Sequence, residues 1–186
     1  LVSMRLQCDK SGAKLKLSQQ RFLPLGSAAT NALAWQVPVC VRYKAAGRAQ
    51  RACGLMKTGT EELALGTACP VSLGADTARY YRVRYDGALL HKIAVPMDPA
   101  ETVALIGDVS ALAHNGTISL SQALRTVQPY AGSRSRHVSQ SLIAMLGDIR
   151  MLDPEALRPA EARWIRSLFG SQAHRLGLRP RPGESE

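Results

Sequence analysis

Apolar residues recur at every second position through much of the first half of the chain. Trp35, Val37, Val39, Val41 and Tyr43 share one pleat face, and Tyr81, Val83 and Tyr85 share another, with Arg82 and Arg84 opposite. Aromatic and β-branched residues at period two suit a half-buried sheet. The pattern predicts strands over 1–8, 13–22, 35–43, 51–57, 61–67 and 78–85. Turn chemistry separates them at Asp9-Lys10-Ser11-Gly12, in a loop over 24–34, around Gly47 and at Thr58-Gly59-Thr60, while Pro70 and Gly74-Ala75-Asp76 read as the end of the fifth strand's region. Short strands at this spacing predict an antiparallel β-sandwich over 1–95. Trp35, at the head of the most regular alternation, is expected to anchor its core.

The period then changes to that of a helix. Asp98-Pro99-Ala100-Glu101 carries an N-cap, a first-turn Pro and the acid of a capping box. Val103, Ile106, Val109, Leu112 and Ala113 form the stripe that follows, and Asn115-Gly116 stops it. Ser119 caps a second helix that Pro129 halts. A third helix is expected over 135–152, with Leu142, Met145, Leu146 and Ile149 inward. A fourth runs from Pro159 through Ile165, Leu168, Phe169 and Leu176 to Gly177. Short connections make these consecutive antiparallel hairpins over 97–186, with a single switch from strand to helix near Val95-Pro96-Met97. The fold class is thus a two-part β-then-α chain.

Composition narrows the function. A chain of 186 residues with 46% hydrophobic and 20% charged residues buries a real core. No apolar run approaches the roughly 18–20 residues that span a bilayer. Leu1–Cys8 alternates like a strand rather than a signal peptide, and without an initial Met the chain reads as a piece of a longer protein. The formal charge of +10 invites a nucleic-acid reading. Against it, the basic residues are dispersed, the densest cluster being Arg134, Arg136 and His137, and base-stacking and zinc-finger motifs are missing. Neither nucleic acid nor membrane is expected as a partner. Cysteines fall at 8, 40, 53 and 69 with no Cys-x-x-Cys, which disfavours structural zinc. Either all four stay reduced, or an exported chain forms disulfides. In the second case Cys53 and Cys69, bracketing a hairpin-like segment, are the expected pair, with Cys8 and Cys40 as buried thiols. That possibility tilts the compartment slightly toward export or the periplasm.

Gln19-x-Arg21-Phe22, then Trp35-x-Val37-Pro38-Val39, then Tyr80-Tyr81-Arg82-Val83-x-Tyr85-Asp86 resembles the region after the catalytic domain of zinc aminopeptidases of the aminopeptidase N and puromycin-sensitive type. On that resemblance Gln19, Arg21, Phe22, Trp35, Pro38, Tyr81, Arg82, Val83 and Tyr85 occupy motif positions of a β-sandwich. Arg79 stands where the family has Gly. Leu105-Ile106-Gly107-Asp108, Ala111-Leu112-Ala113 and Gly116 resemble the opening helix of the family's helical domain. Leu176-Gly177-Leu178, Pro180 and Pro182-Gly183-Glu184-Ser185 resemble a loop after which further helices follow. Residues 130–140 lack the acidic character expected there. The resemblance implies a sandwich packed between catalytic and helical domains, and a helical domain that closes over the active site and restricts which peptides enter. Its implied partners are the catalytic domain and remaining helices of one parent chain, with peptide met only through that parent.

The family's hydrolysis needs a His-Glu-x-x-His helix, whose imidazoles bind zinc one turn apart while the Glu activates water. His91, His114, His137 and His174 are never followed by Glu and no two lie four apart. The Gly-x-Met-Glu-Asn substrate strand, the Gly-x-Ser-x-Gly elbow and a phosphate loop are missing too. Zinc is expected in the parent and no catalytic, cofactor or metal residue in this chain. Two readings follow: the non-catalytic scaffold and cap of an aminopeptidase, or a stand-alone β-sandwich interaction module with a helical appendage. The dialysed chain is expected to carry no stoichiometric zinc and to leave aminoacyl reporter substrates intact. Zinc near one per chain by elemental analysis, together with turnover, would refute this.

Overall fold

The structure, a computed structural model, describes residues 1–28, 33–93, 98–150 and 155–177. Among them, seven strands precede the long helices. One sheet has the order β5 (Thr60–Gly66), β2 (Gly12–Gln19), β1 (Val2–Asp9), β7 (Val83–Tyr85); the other is β4 (Arg48–Met56), β3 (Val37–Ala45), β6 (Ser72–Ala75). All pairings are antiparallel except β1 with β7, where Val2 lies beside Val83 and Met4 beside Tyr85.

Period two explains the core. Val2 and Met4, Leu15 and Leu17, Val39 and Val41, Leu63 and Leu65, and Leu73 and Val83 turn inward and are buried between the sheets. Each such side chain contributes about 1.5–3 kcal/mol. Two phenols tie the sheets at their polar tips. The Tyr43 hydroxyl donates to Leu65 O at 2.8 Å, and the Tyr85 hydroxyl accepts from Ala75 N at 3.0 Å. The β1–β2 turn requires Gly12: its φ is +129°, and a Cβ there would sit 2.6 Å from Gly66 O.

The helices follow their caps. In α2 (Pro99–His114) the Asp98 carboxylate accepts from Ala100 N at 2.8 Å, and Glu101 reaches back to Asp98 N. Ser119 caps α3 (Leu120–Val127), and Pro129 falls in a 3₁₀ turn, Gln128–Tyr130. Then come α4 (Arg136–Arg150) and α5 (Arg158–Leu176), with Gly177 at φ +76° as its cap. Leu105, Ile106, Val109, Ala123, Val127, Val138, Leu142 and Met145 form a second core. Tyr85 packs against both cores.

Several expectations are corrected. The third strand begins at Val37, and Trp35 is 41% exposed rather than a core anchor. Gln19 is the reason: its carboxamide accepts from Trp35 N at 2.9 Å and donates to Trp35 O at 2.8 Å, fixing that backbone outside the ladder. The strand expected over 78–85 shrinks to Val83–Tyr85, while Ser72–Ala75, read as a strand end, pairs with β3. A one-turn helix, α1 (Gly87–Leu90), is capped by Asp86 and precedes the expected switch. The boundary at 95–97, the loop from 178 onward and the Ile149 and Leu176 side chains lie outside the description.

The expected Cys53–Cys69 pair is also replaced. Cys8 bonds Cys69 and Cys40 bonds Cys53. The segment over 53–69 only looks like a hairpin: β4 and β5 belong to different sheets, so Cys53 faces Cys40 across β3–β4 while Cys69 lies in the crossover near the end of β1. The two bridges close spans of 61 and 13 residues. Replacing both Cys8 and Cys69 by Ser is therefore expected to cost about 4 kcal/mol in urea denaturation, and the Cys40/Cys53 pair about 3 kcal/mol. Unchanged midpoints in both double variants would contradict the assignment.

Candidate functional site

Most of the motif residues singled out above meet in one cleft. Gln19, Arg21, Phe22, Trp35, Pro38, Tyr81 and Arg82 line a cavity of about 550 Å³ at the end of the sandwich. Three segments position them: the tail of β2, the extended lead into β3, and the bends before β7. Gln19 organises the meeting point, because its Nε2 donates to Thr58 O at 2.7 Å as well as to Trp35 O. The indole is thereby held half-open on the cleft wall, with a fully exposed Tyr80 across from it.

The other motif residues do not reach the cleft. Val83 is buried in the sandwich core, and Tyr85 sits between the two cores. Asp108, on α2, lies behind Arg79 with its side chain 3% exposed. Arg79 is 6% exposed: one guanidinium nitrogen pairs with Asp108 and another donates to Asp76 O at 2.8 Å. Arg82 stands 3.7 Å from the same carboxylate. The sequence offered Arg79 only as a departure from a family Gly. Its meaning emerges from the fold, which sets it against a buried acid on α2. The Arg42–Glu101 ion pair and the bond from Asn115 Nδ2 to Leu23 O at 3.4 Å join the same two halves, and neither was legible beforehand.

The site divides into an arginine- and aromatic-lined cleft and a buried ion pair behind it. The cleft lining holds Arg21, Arg79 and Arg82 and, among the described residues, no carboxylate. Burial pushes the Tyr81 phenol up to about 12, so it stays protonated near neutrality. Aromatic faces beside guanidinium groups suit the binding of polypeptide. Burial also raises the Asp108 carboxyl above its usual value of 3.8, against the pull of Arg79, the Val83 amide and Arg82. A carboxyl raised on folding contributes most below its unfolded value, and that contribution is lost as pH climbs through the folded one. Burial therefore opposes the charged form of Asp108, and the neighbouring Arg79 guanidinium counters part of that opposition. A larger hollow of about 850 Å³ on the outer face of the first sheet is lined by solvated charges such as Arg5 and Asp86, paired at 3.0 Å.

Histidines do not assemble in this structure. Among the described residues no three His, Cys, Asp or Glu side chains gather to hold a metal, and no helix is long and apolar enough to cross a membrane. The His114 ring bonds Ser110 O at 2.8 Å at a helix end.

A two-sheet sandwich is followed by packed helices, and seven motif residues meet in one cleft at the end of the sandwich. Residues 71–186 match the model of the ERAP1-like C-terminal domain, and the chain belongs to that family. The chain is also similar to a puromycin-sensitive aminopeptidase of Caenorhabditis elegans, 26% identical over 188 aligned positions that cover 95% of this chain and 20% of that protein. The chain thus spans about a fifth of the length of that relative.

Asp108→Ala is expected to cost about 3–5 kcal/mol in chemical denaturation, because it strands a buried guanidinium. Arg79→Met combined with Asp108→Leu should cost far less than either single change. Additive losses would show instead that the two side chains act independently.

Proposed function

We propose that this chain is the non-catalytic scaffold of a zinc aminopeptidase, holding the sandwich against a catalytic domain and carrying the first helices of the domain that caps its active site. The observation that carries the reading is bare apolar surface on both halves at once. Trp35 and Tyr80 are exposed at the cleft, Leu55 and Val71 elsewhere on the sandwich, and Ile143 and Leu157 on the helices. In α5, Trp164, Ile165, Leu168 and Phe169 are only half-covered along one face. A self-contained interaction module would concentrate such surface in one patch; a unit separated from neighbours on two sides shows it on two. The family match and the aminopeptidase relative support the same reading.

In this reading the cleft seats the preceding domain. Trp35 and Tyr80 fill apolar hollows of that partner, and Arg21 and Arg82 meet acceptor groups at the rim. The half-covered face of α5 takes the next helix. The chain's contribution to peptide cleavage is then geometric: it sets how the cap stands over the metal site. Zinc and the attacking water belong to the catalytic domain.

The gene upstream of Leu1 is expected to encode His-Glu-x-x-His and Gly-x-Met-Glu-Asn within one reading frame. The upstream polypeptide, expressed alone, should gain aminopeptidase activity when this chain is added. A Trp35→Ala, Tyr80→Ala variant should restore at least tenfold less at equal concentration, since two interface aromatics are worth more than about 1.4 kcal/mol. An upstream frame without the zinc motif, or no association between the two polypeptides, would overturn the proposal.

A further inference from the structure

The Cys8–Cys69 bridge has a neighbour that gives its two sulfurs different chemistry. The Lys92 ammonium lies 4.0 Å from Cys69 Sγ. It is held there at both ends of the residue: Nζ donates to Pro70 O at 3.0 Å, and the Lys92 carbonyl accepts from Leu73 N at 3.0 Å. Cys8 and Cys69 are both exposed residues, so a reductant has access. A disulfide opens when a thiolate attacks one sulfur and expels the other, and the better leaving group is the thiol of lower pKa. An adjacent ammonium stabilises a thiolate.

From this geometry we infer that Cys8–Cys69 is a directional thiol–disulfide exchange site, attacked at Cys8 and releasing Cys69 as a thiolate beside Lys92. The substrate class is a thiol or dithiol reductant. Its thiolate forms a bond to Cys8 Sγ as the Cys8–Cys69 bond breaks, and the electron pair leaves on Cys69. With a dithiol, the second thiolate then attacks the reductant sulfur of the mixed disulfide and frees Cys8. The reductant ends as a disulfide and two electrons reach the protein; one of its protons ends on Cys8 and the other passes to solvent, leaving Cys69 as the thiolate beside Lys92. With a monothiol the mixed disulfide on Cys8 persists.

The consequence is local and specific. Cys69 lies in the crossover that carries the chain from β5 in one sheet to β6 in the other. Opening this bridge frees the crossover, and the ion pair that forms between Lys92 and the Cys69 thiolate draws on an ammonium already bound to Pro70 O. The Cys40–Cys53 bridge lies within the β3–β4 hairpin, where strand pairing holds both residues whether or not they are bonded. Among the described residues that bridge has no comparable cation contact.

The test exposes the whole chain to limiting glutathione, quenches with an alkylating agent, and maps all four cysteines by peptide mass spectrometry. Glutathione should be found on Cys8 with Cys69 alkylated, ahead of any opening at Cys40–Cys53. Lys92→Gln should slow opening of Cys8–Cys69 by at least about threefold, following the leaving thiol's pKa, and Lys92→Arg should restore it. The rate at Cys40–Cys53 in the same molecules reports whether a variant has disturbed the fold. Glutathione mainly on Cys69, prior opening of Cys40–Cys53, or equal rates in the Gln and Arg variants would each overturn the inference.

Discussion

The ion pair between Arg79 and Asp108 is the constraint on which the two halves depend. Arg79 stands before the last strand of the sandwich, Asp108 sits mid-way along the first long helix, and both are almost wholly buried. A charge in that position is tolerable only beside its opposite. The sandwich and helix therefore have one relative placement that leaves neither ion stranded. Around this pair the weaker links fall into line: Arg42 with Glu101, Asn115 with Leu23 O, and Tyr85 packed against both cores. One donor, Arg79 Nε, is buried without a partner, so the pairing is adequate rather than complete.

Hydrophobic contact alone would let the two layers slide, since it has no direction; a buried guanidinium–carboxylate pair fixes both distance and angle. The cleft lies immediately beside this joint, because Arg79 and Arg82 belong to its lining while also facing Asp108. A partner seated in the cleft would thus press on the same segment that positions the helices.

Much of the fold was legible because it rests on short-range rules. Period-two alternation located most strands, and Asp98, Pro99 and Glu101 marked the start of the first long helix to the residue. What escaped depends on long-range pairing. Trp35 continued the alternation perfectly, yet Gln19 holds its backbone away from the sheet, and no local pattern carries that bond. Ser72–Ala75 looked like a terminus because Pro70 stands shortly before it and Gly74 lies within it, but an edge strand tolerates such residues. The disulfides were misassigned because proximity in sequence was taken for a hairpin, when the chain changes sheets between Met56 and Thr60. Seven of the residues singled out by resemblance line one cleft; that Arg79 faces a buried acid was visible only in three dimensions.

Residue-resolved amide hydrogen exchange on the intact chain tests most directly whether the ion pair makes sandwich and helices one cooperative unit. The slowest amides of β1, β3 and α2 are expected to exchange at a single opening free energy, and Asp108→Asn to lower that value for all three together. A contradictory result would be α2 and α4 exchanging at a distinctly lower free energy while the sandwich remains protected, unaltered by the substitution.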